Sequence, residues 1–363
     1  MPNQIILDNW TLQEVKDLYL SGLSNENASK ILIDRKNDSH SYQDLSKGFI
    51  QVEALFNFLQ NLILRDTIIV DEQFTSAWDQ NQNLKKLKQE KILKGHDFKK
   101  NKIFEVRKAI VDQACVTSSI TEVQQKNEKQ FLEDGTTHDP LMSQIIWGGA
   151  GMFARSHVYE TFYIPHPLRK YAFQQTPILA RDAVDQTLNL IQTSRTRLFQ
   201  YQNNFNTGQH ATFSLPALMV KIIQESNDVD DLLEVSLQLR EEYGDLRSWL
   251  KQFQIAIKSD DPRKISKYSK TLKSVQKNIE SKYSPNKYGE LSLELDLFTL
   301  SPSVGFPISI NGMRNKLGIR STLNNLILTK AGTKSLGKFF QLFGENNSSL
   351  SQKINTELLR NYS

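Results

Sequence analysis

The stretch GFIQVEALFNFLQNLILRDTIIVDE (Gly48–Glu72) decides the fold of this chain. Its first part places large apolar side chains three or four residues apart, which is the spacing of a helix that packs into a core. Arg65 and Asp66 then turn the chain into a short β-branched run, Thr67–Val70, which predicts a buried strand. The stretch therefore predicts a helix over 48–64 that leads directly into a strand.

A second pattern, in the C-terminal half, predicts two long helices joined by a short turn. Apolar residues repeat at intervals of three and four over 232–257 and again over 265–279. The Asp-Asp-Pro sequence at 260–262 supplies a turn, a cap and a first-turn proline between them. We expect a long antiparallel hairpin over about 229–283 in which the two stripes pack together. The chain is thus predicted to be mainly α, an α+β fold with a small β element, built as a helical bundle.

The composition is that of an ordinary globular protein. Of the 363 residues, 39% are hydrophobic and 23% are charged, and the net charge is +5. No apolar run has the length of a membrane span, and the N-terminus lacks the basic segment and apolar core of a secretory signal. Cys115 is the single cysteine, which excludes an internal disulfide and cysteine-rich zinc sites; it is typical of a core residue rather than a nucleophile. These features predict a cytoplasmic protein.

Turn-rich segments divide the chain into three predicted parts: a mixed helix and strand region over 1–140, an irregular connecting segment over 141–176, and a mainly helical region over 177–363. Local patterns add further elements inside these parts. We expect Thr11 to cap the first helix, a turn near Gly95, and a loosely held polar tail after Gly344. The additional predicted elements are helices over 9–22, 80–110, 103–132, 177–204, 215–228, 321–328 and 334–343, and a strand over 291–300.

The segment WGGAGMFARSHVYETFYIPHPLR (Trp147–Arg169) combines more groups able to bind an anion or transfer a proton than any other window. Arginine binds phosphate with paired hydrogen bonds, and histidine exchanges a proton near neutral pH. The Gly148–Gly151 run predicts backbone amides close to a phosphate, although it matches neither nucleotide-binding fingerprint. The alternative is a rigid joint whose aromatic residues fill the core. The predicted ligand-binding residues are Arg155, His157, Tyr159, His166 and Arg169, and His157 and His166 are also candidates for catalysis.

Two adjacent acids, Asp71 and Glu72, follow the predicted strand. Metal-dependent nucleases and phosphotransfer enzymes hold Mg²⁺ with a few carboxylates at the carboxyl edge of a sheet. The sequence offers partners for such a site at Asp112, Asp182 and Asp185, but no spacing selects them. The alternative is that the two acids are solvated at a strand end or cap a helix.

Basic residues are concentrated in a few stretches, which favours binding to phosphates. From Lys85 to Lys108 there are ten basic residues and three acids, and clustered positive charge attracts nucleic acid. The alternative is a solvated helix face. Segments 22–37 and 41–49 also have the layout of a helix-turn-helix, but the second is not basic, so an ordinary helical pair is favoured. The lysines predicted to contact nucleic acid are Lys85, Lys86, Lys99, Lys100 and Lys102.

Three pieces of sequence carry a likeness to known proteins. They are LFNFLQNLILRDTIIVDE (Leu55–Glu72), RSHVYETFYIPHPLR (Arg155–Arg169) and LPALMVKIIQESNDVDDLLEVSLQLREEYGDLRSWL (Leu215–Leu250). Together they resemble an uncharacterised family of bacterial proteins, often cyanobacterial or actinobacterial. The resemblance implies an intracellular prokaryotic protein of a kind associated with defence or conflict systems. It implies no activity and no functional residue.

The sequence leaves three functions open. The leading hypothesis is a non-enzymatic or regulatory protein that binds nucleic acid or a phosphate-bearing ligand through the basic stretches and the central segment. The second is a metal-dependent nuclease or nucleotide-processing enzyme that uses Asp71 and Glu72, and only this one requires a cofactor, Mg²⁺. The third is an interaction subunit whose helical hairpin docks on a protein partner.

Overall fold

A computed structural model shows that the chain is mainly helical with a small parallel sheet, as the sequence predicts. The predicted helices over 177–204 and 321–328 and the predicted strand over 291–300 lie outside the residues that the structure describes. The described residues are 4–34, 39–72, 78–79, 81–96, 103–108, 111, 118–135, 139, 141–159, 161–169, 216–258, 263–264, 267, 330–344 and 349–360.

The four-stranded sheet has the order β5-β4-β1-β6, and every neighbouring pair is parallel. From β1 (Gln4–Leu7) the chain adds β4 (Thr67–Asp71) and then β5 (Leu93–His96) on one side of the sheet. It then adds β6 (Phe162–Ile164) on the other side of β1. Ile5 of β1 therefore pairs with Ile68 of β4 on one side and with Phe162 of β6 on the other. The predicted connecting segment supplies β6 and so completes the sheet. The strands are β1 (Gln4–Leu7), β2 (Asn27–Asp34), β3 (Ser39–Ser46), β4 (Thr67–Asp71), β5 (Leu93–His96) and β6 (Phe162–Ile164).

Ten α-helices lie in the described ranges, and a π-helical stretch, Leu141–Trp147, runs directly into one of them. The helices predicted over 48–64, 215–228 and 334–343 are confirmed by the observed helices Lys47–Leu64, Pro216–Glu225 and Lys330–Leu342. The helices are α1 (Asn9–Ser21), α2 (Lys47–Leu64), α3 (Gln82–Gln89), α4 (Ser118–Asp134), α5 (Gly148–Val158), α6 (Pro216–Glu225), α7 (Val229–Glu242), α8 (Gly244–Lys258), α9 (Lys330–Leu342) and α10 (Ser349–Arg360).

Helix α2 is the centre of the core. All of its residues except Lys47 and Asn57 are buried, and it contacts α1, α6, α7, α8, α10, β3 and β4. A helix that is apolar on every side is stable only when neighbouring elements cover every side. The ring centroid of Phe56 lies 5.0 Å from that of Phe339, and that of Phe58 lies 5.7 Å from Trp78. No helix in the described ranges is both long and apolar enough to span a membrane.

Two arginines bind the carboxyl end of α2. The Arg240 guanidinium donates to the carbonyls of Leu62 and Arg65 and, at 2.7 Å, to that of Asp66. Arg247 donates to the carbonyl of Ile63 at 3.3 Å. The last carbonyls of a helix have no partner within the helix, and they carry a partial negative charge that cations stabilise. The Leu-Arg pairs in α7 and α8 are therefore architectural: the leucines enter the core and the arginines cap α2.

Helix α1 begins one turn earlier than its predicted cap. Thr11 is not the N-cap; Asp8 is, and its carboxylate accepts the Trp10 amide at 2.9 Å. The physical reason is that β1 ends at Leu7, so the chain leaves extended geometry at Asp8 and Thr11 is already inside the first turn, fully buried. A helix needs its capping oxygen where the backbone first turns.

The predicted helical pair over 22–37 and 41–49 is wrong. This region forms the antiparallel hairpin β2–β3, in which Asn27 pairs with Ser46 and Asp34 with Ser39. The physical reason is the consecutive apolar run at 31–33, which contains two β-branched isoleucines. It lacks the three- and four-residue spacing of a helix and suits a strand.

The exposed helix predicted over 80–110 is also wrong as a single element. Helix α3 ends at Gln89, and Lys91 has a positive φ of 58° that stops it. Leu93 is buried and pairs with Ile68, while Gly95, the predicted turn, lies inside β5 opposite Val70. The gain from burying an apolar pair against β4 overrides the helical propensity of the lysine-rich sequence. Residues 103–108, 111 and 118–134 of the helix predicted over 103–132 are helical.

The long antiparallel hairpin predicted over 229–283 is not shown among the described residues. The first predicted arm is broken at Tyr243, where α7 ends and α8 begins at Gly244, a residue of low helix propensity. Of the second arm, residues 263, 264 and 267 are helical and the rest lies outside the described residues. The tail after Gly344 is not loosely held, because α10 buries Leu350 and Ile354 and packs against α2.

Candidate functional site

The carboxyl ends of the parallel strands bring polar side chains to one edge of the sheet. Asp8 follows β1, Asp71 ends β4 and His96 ends β5. His166 comes two residues after the end of β6. In open parallel sheets, ligands bind outside this edge at the point where the strand order reverses. Here the order reverses between β1 and β6, and Asp8 and His166 lie at that point.

Asp8 is the most heavily bonded side chain of this edge, and it is fully buried. Its Oδ1 accepts the Trp10 amide at 2.9 Å and Arg169 Nη1 at 2.5 Å. Its Oδ2 accepts the His166 amide at 3.0 Å and the hydroxyl of Tyr163. One carboxylate thus joins the start of α1 to β6 and to the segment that follows β6.

The charges around Asp8 are strongly coupled. Burial opposes the charged carboxylate, but the Arg169 guanidinium and the hydrogen bonds from Tyr163 and the His166 amide together lower the pKa of Asp8. Burial and the nearby carboxylate raise the pKa of Tyr163 well above its ordinary value. Burial disfavours the charged guanidinium, yet Asp8 outweighs it and raises the pKa of Arg169. Asp8 and Arg169 therefore form a permanent buried ion pair at neutral pH.

His166 is a neutral imidazole in this cluster. Burial is the largest cause that lowers its pKa, to about 3, and Arg169 adds to it against the opposing charge of Asp8. Its Nδ1 accepts the Leu168 amide at 3.3 Å, which places the proton on Nε2. The ring stacks on the Trp10 indole with 3.9 Å between centroids and 13° between planes. Nε2 is buried and has no hydrogen-bond partner among the described residues.

Three guanidiniums converge beside this cluster, those of Arg107, Arg155 and Arg169. Burial lowers the pKa of Arg107, and the positive charges of Arg155 and Arg169 lower it further, which shows that the three lie close together. Arg155 pairs with Asp71 at 3.0 Å, and Arg169 pairs with Asp8. Arg107 lies over the Trp147 ring, 4.9 Å from its centroid, and its buried Nε has no hydrogen-bond partner in the part of the chain that the structure describes.

The glycines of the central segment make room for these guanidiniums. A β-carbon at Gly148 would lie 2.1 Å from Arg169 Nη2, and one at Gly151 would lie 3.3 Å from Arg155 Nη1 and 3.5 Å from Arg107 Nε. The expected phosphate loop is wrong, because these residues lie in helix α5. The π-helical stretch precedes α5 without a break. Backbone carbonyls of that stretch therefore lie next to the first amides of α5, where the prediction had a phosphate.

The structure brings together three of the five predicted ligand-binding residues. Arg155, His166 and Arg169 belong to the cluster at the carboxyl edge. Tyr159 lies near this edge as well, with its ring 4.6 Å from that of His96, the last residue of β5. His157 lies on α5, and its side chain is outside the described part of the chain.

The lysines predicted to contact nucleic acid are only partly described. Lys85 and Lys86 lie exposed on α3, and Lys86 is 3.9 Å from Glu90. Lys99, Lys100 and Lys102 lie outside the described residues, as do Asp112, Asp182, Asp185 and Cys115.

The predicted metal ligands do not assemble a donor set within the described ranges. Asp71 bonds the guanidinium of Arg155 at 3.0 Å, and Glu72 is exposed beside Gly95. No group of three or more histidine, cysteine, aspartate or glutamate side chains suited to a metal ion occurs among the described residues. Mg²⁺ takes several oxygen ligands, whereas the carboxylates described at this edge bond arginines.

A buried carboxyl group, Glu14, lies behind the cluster. It accepts hydrogen bonds from the side chains of Trp10 and Gln51. Burial is the largest cause that raises the pKa of Glu14 to about 7, with a smaller contribution from Asp17 and an opposing one from Lys47. Glu14 therefore changes charge near neutral pH. It is hydrogen-bonded to Trp10, whose ring stacks on His166.

The cluster contains four residues that the sequence patterns do not single out: Asp8, Trp10, Arg107 and Tyr163. Asp8 is a polar residue directly after the apolar run Ile5–Leu7, and this short local pattern indicates the end of a strand but no role for the carboxylate. Arg107 lies in a basic stretch whose pattern suggests solvent exposure, yet its side chain is half-buried.

Comparison with known proteins adds no further residue to this site. The arrangement has to be interpreted from its own geometry, because no protein-family model, no curated protein and no solved structure matches the chain.

Proposed function

We propose that this protein binds a phosphate-bearing ligand at the carboxyl edge of its sheet, where Arg107 and Arg155 contact the phosphate. The observation that carries the proposal is the convergence of three guanidiniums, Arg107, Arg155 and Arg169, on the first turn of α5. Two carboxylates, Asp8 and Asp71, pair with two of them. Among the described side chains, three positive charges against two negative ones leave one positive charge in excess at this point.

Arg107 is the source of that excess charge. No salt bridge joins it to an acid in the part of the chain that the structure describes, and its described neighbours are Trp147, Arg155 and Arg169. Like charges held together at a half-buried position destabilise one another. An anion between Arg107 and Arg155 would remove this repulsion, and guanidinium groups bind phosphate with paired hydrogen bonds.

The position of the cluster supports the same function. It lies outside the carboxyl ends of β1 and β6, where the strand order reverses, which is the position at which open parallel sheets usually bind their ligands. The cluster is rigid, because the Asp8 carboxylate bonds both the Arg169 guanidinium and the His166 amide and so joins the ends of β1 and β6. A fixed set of donors binds an anion with little loss of side-chain entropy.

The geometry favours a bound ligand over the other functions that the sequence leaves open. A nuclease would need carboxylates free to bind Mg²⁺, and Asp71 is bonded to Arg155 instead. Contact with nucleic acid through the basic stretch and docking of a protein partner on the hairpin predicted over 229–283 remain separate proposals from the sequence.

Titration calorimetry with inorganic phosphate and pyrophosphate at low salt tests the proposal. We expect binding that weakens as salt is added, and a loss of about 10- to 100-fold in affinity in Arg107→Gln, since a charge-assisted hydrogen bond contributes about 1.5–3 kcal/mol. Lys86→Gln on the exposed face of α3 is the matched control, because it removes the same charge away from the cluster. Equal affinity in wild-type protein and Arg107→Gln would refute the assignment.

A further inference from the structure

The helical residues 103–108 place an exposed aromatic side chain next to the arginine cluster. Ile103 is buried and Val106 packs against the core, so these two residues hold the turn on the molecule. Phe104, between them in the sequence, is 55% exposed. Residues three apart on a helix are neighbours on its surface. Phe104 and Arg107 are therefore neighbours on this turn, the first exposed and the second half-buried.

Short distances connect this ring to the guanidiniums. Arg107 Nε lies 3.5 Å, and Arg155 Nη1 3.3 Å, from the position that a β-carbon at Gly151 would occupy, so the two side chains meet over that glycine. The Arg107 guanidinium also lies 4.9 Å from the centroid of the Trp147 ring. Side chains three residues apart on a helix start about 5–6 Å from each other. A ligand with its phosphate on Arg107 therefore has Phe104 as a direct neighbour.

The position of Phe104 distinguishes it from other exposed apolar residues. Single exposed apolar side chains are common on protein surfaces, and Leu20 on α1, Leu132 on α4 and Ile255 on α8 are further examples. Phe104 is aromatic, so it offers a flat face, and it lies one helical turn from the guanidinium that carries the excess charge of the cluster. Proteins bind nucleotides with this combination, a cation for the phosphate and an aromatic ring for the base.

We propose that the site takes a mononucleotide, with its phosphate on Arg107 and Arg155 and its base stacked on the Phe104 ring. This inference rests on the proposed function, because it assumes that the phosphate binds between the two guanidiniums. One ribose separates the phosphate of a 5′-nucleotide from its base, a separation similar to that of neighbouring side chains on a helix. Trp147 is a positioning residue, since its ring holds the Arg107 guanidinium by a cation–π contact.

The charge of the cluster favours a mononucleotide over a nucleic-acid strand. Among the described side chains, the three guanidiniums exceed the two carboxylates by one positive charge. Strands bind mainly by neutralising several successive phosphates, whereas a mononucleotide presents a single terminal phosphate. The exposed ring in turn favours a nucleotide over a sugar phosphate, which has no flat group to stack on it.

Calorimetric titrations of the full chain with four probes test this inference. The probes are inorganic phosphate, ribose 5-phosphate, adenosine 5′-monophosphate and a single-stranded oligonucleotide without terminal phosphates. We expect the nucleotide to bind about 5- to 100-fold more tightly than ribose 5-phosphate, which is the range of one base stacked on an aromatic side chain. The oligonucleotide should bind more weakly than the mononucleotide.

Two variants of Phe104 assign the effect to its ring. Phe104→Ala removes the ring and Phe104→Tyr keeps it, and both should fold because substitutions at exposed positions have little effect on stability. We expect the nucleotide to lose its advantage over ribose 5-phosphate in Phe104→Ala and to keep it in Phe104→Tyr, with the affinity for ribose 5-phosphate unchanged in both. Leu132→Ala, which truncates a residue on α4 that is 85% exposed, is the matched control and should leave all affinities unchanged.

The possible outcomes separate this inference from the proposed function. Equal affinity for the nucleotide and ribose 5-phosphate overturns the inference and leaves the proposed function intact, whereas absence of phosphate binding overturns both. A preference for the nucleotide that survives in Phe104→Ala overturns the assignment of the base to this ring. An oligonucleotide that binds more tightly than the mononucleotide also overturns the inference, because it indicates a strand.

Discussion

Arg169 donates a hydrogen bond of 2.5 Å to the carboxylate of Asp8, although 161 residues separate the two in the chain. Asp8 follows β1 and Arg169 follows β6, so the pair fastens neighbouring strands at their carboxyl ends. The side chain of Asp8 is 0% exposed and that of Arg169 is 9% exposed. An ion pair this deeply buried is costly to break, because the remaining partner keeps an uncompensated charge.

Asp8→Asn should therefore destabilise the protein strongly. The substitution keeps the size of the side chain but leaves Arg169 without a counterion, and breaking a buried pair costs about 3–5 kcal/mol. Urea unfolding followed by circular dichroism measures the change. Glu26→Gln is the control, since Glu26 pairs with Lys47 at 3.5 Å with its side chain 75% exposed, and exposed pairs contribute little. A loss below about 1 kcal/mol in Asp8→Asn would contradict a buried, charged pair.

Gly148→Ala should destabilise the fold, although alanine normally favours a helix. The new β-carbon would lie 2.1 Å from Arg169 Nη2, which is held by Asp8 and by a bond of 2.8 Å from Nε to the Gln144 carbonyl. The guanidinium has to move and lose these bonds, and overpacking of this kind costs about 1–3 kcal/mol. Thermal unfolding of the variant checks the sign.

Gly337→Ala provides the matched control for that substitution. Gly337 lies in helix α9, is exposed, and has nothing within 4 Å of the position of a β-carbon. Alanine there should stabilise the protein by up to about 1 kcal/mol. If the two substitutions changed stability in the same direction, close packing of Arg169 over Gly148 would be refuted.

The elements that the sequence predicts correctly are those with long or distinctive local patterns. Helix α2 is eighteen residues long and rich in large apolar residues at helical spacing, and β4 is a β-branched run. Strands β1, β5 and β6 have only three or four residues each, so alternation has no length over which to develop. Their stability comes from pairing with distant strands, as Ile5 does with Phe162, and no local pattern contains that information.

The same distinction explains which site residues the sequence identifies. Arg155, His166 and Arg169 lie within fifteen residues of one another, in a window dense in reactive groups. Asp8 is recognisable only through partners more than 150 residues away. The pattern around Arg107 favours an exposed helix, because its basic neighbours conceal that the fold turns this one side chain toward Trp147.

Arg240→Lys should destabilise the protein even though it keeps the positive charge. Arg240 bonds three carbonyls at the carboxyl end of α2 and just after it, including that of Asp66 at 2.7 Å, through the fixed fork of its guanidinium. A lysine ammonium is a compact charge and does not reach all three. We expect a loss of roughly 1–3 kcal/mol from the carbonyls left without partners, measured by urea unfolding. Arg263→Lys, at an exposed helical position, should change stability by less than about 0.5 kcal/mol; equal effects would contradict the capping role.

Glu14 predicts a pH dependence of stability with a defined sign. The pKa of Glu14 is about 7 in the folded chain, whereas the ordinary pKa of a glutamate is 4.5. Between these pH values the unfolded chain has released the proton while the folded chain still holds it. Stability therefore falls as pH rises from about 4.5 to 7. Below pH 4.5 Glu14 is protonated in both the folded and the unfolded chain, so it no longer makes the stability depend on pH.

Glu14→Gln should remove this dependence, because glutamine is neutral at every pH. The variant should be close to wild type at pH 4.5 and more stable at pH 8, by about 3 kcal/mol at most, since one pKa unit corresponds to about 1.4 kcal/mol. Urea unfolding of both proteins at several pH values gives the difference and cancels the titration of all other groups. Glu133→Gln, at a residue whose side chain is 63% exposed, is the control and should show no comparable rise in relative stability toward pH 8. A difference between wild type and Glu14→Gln that is independent of pH would show that burial does not hold this proton, and that Glu14 is ionised beside Trp10 at neutral pH.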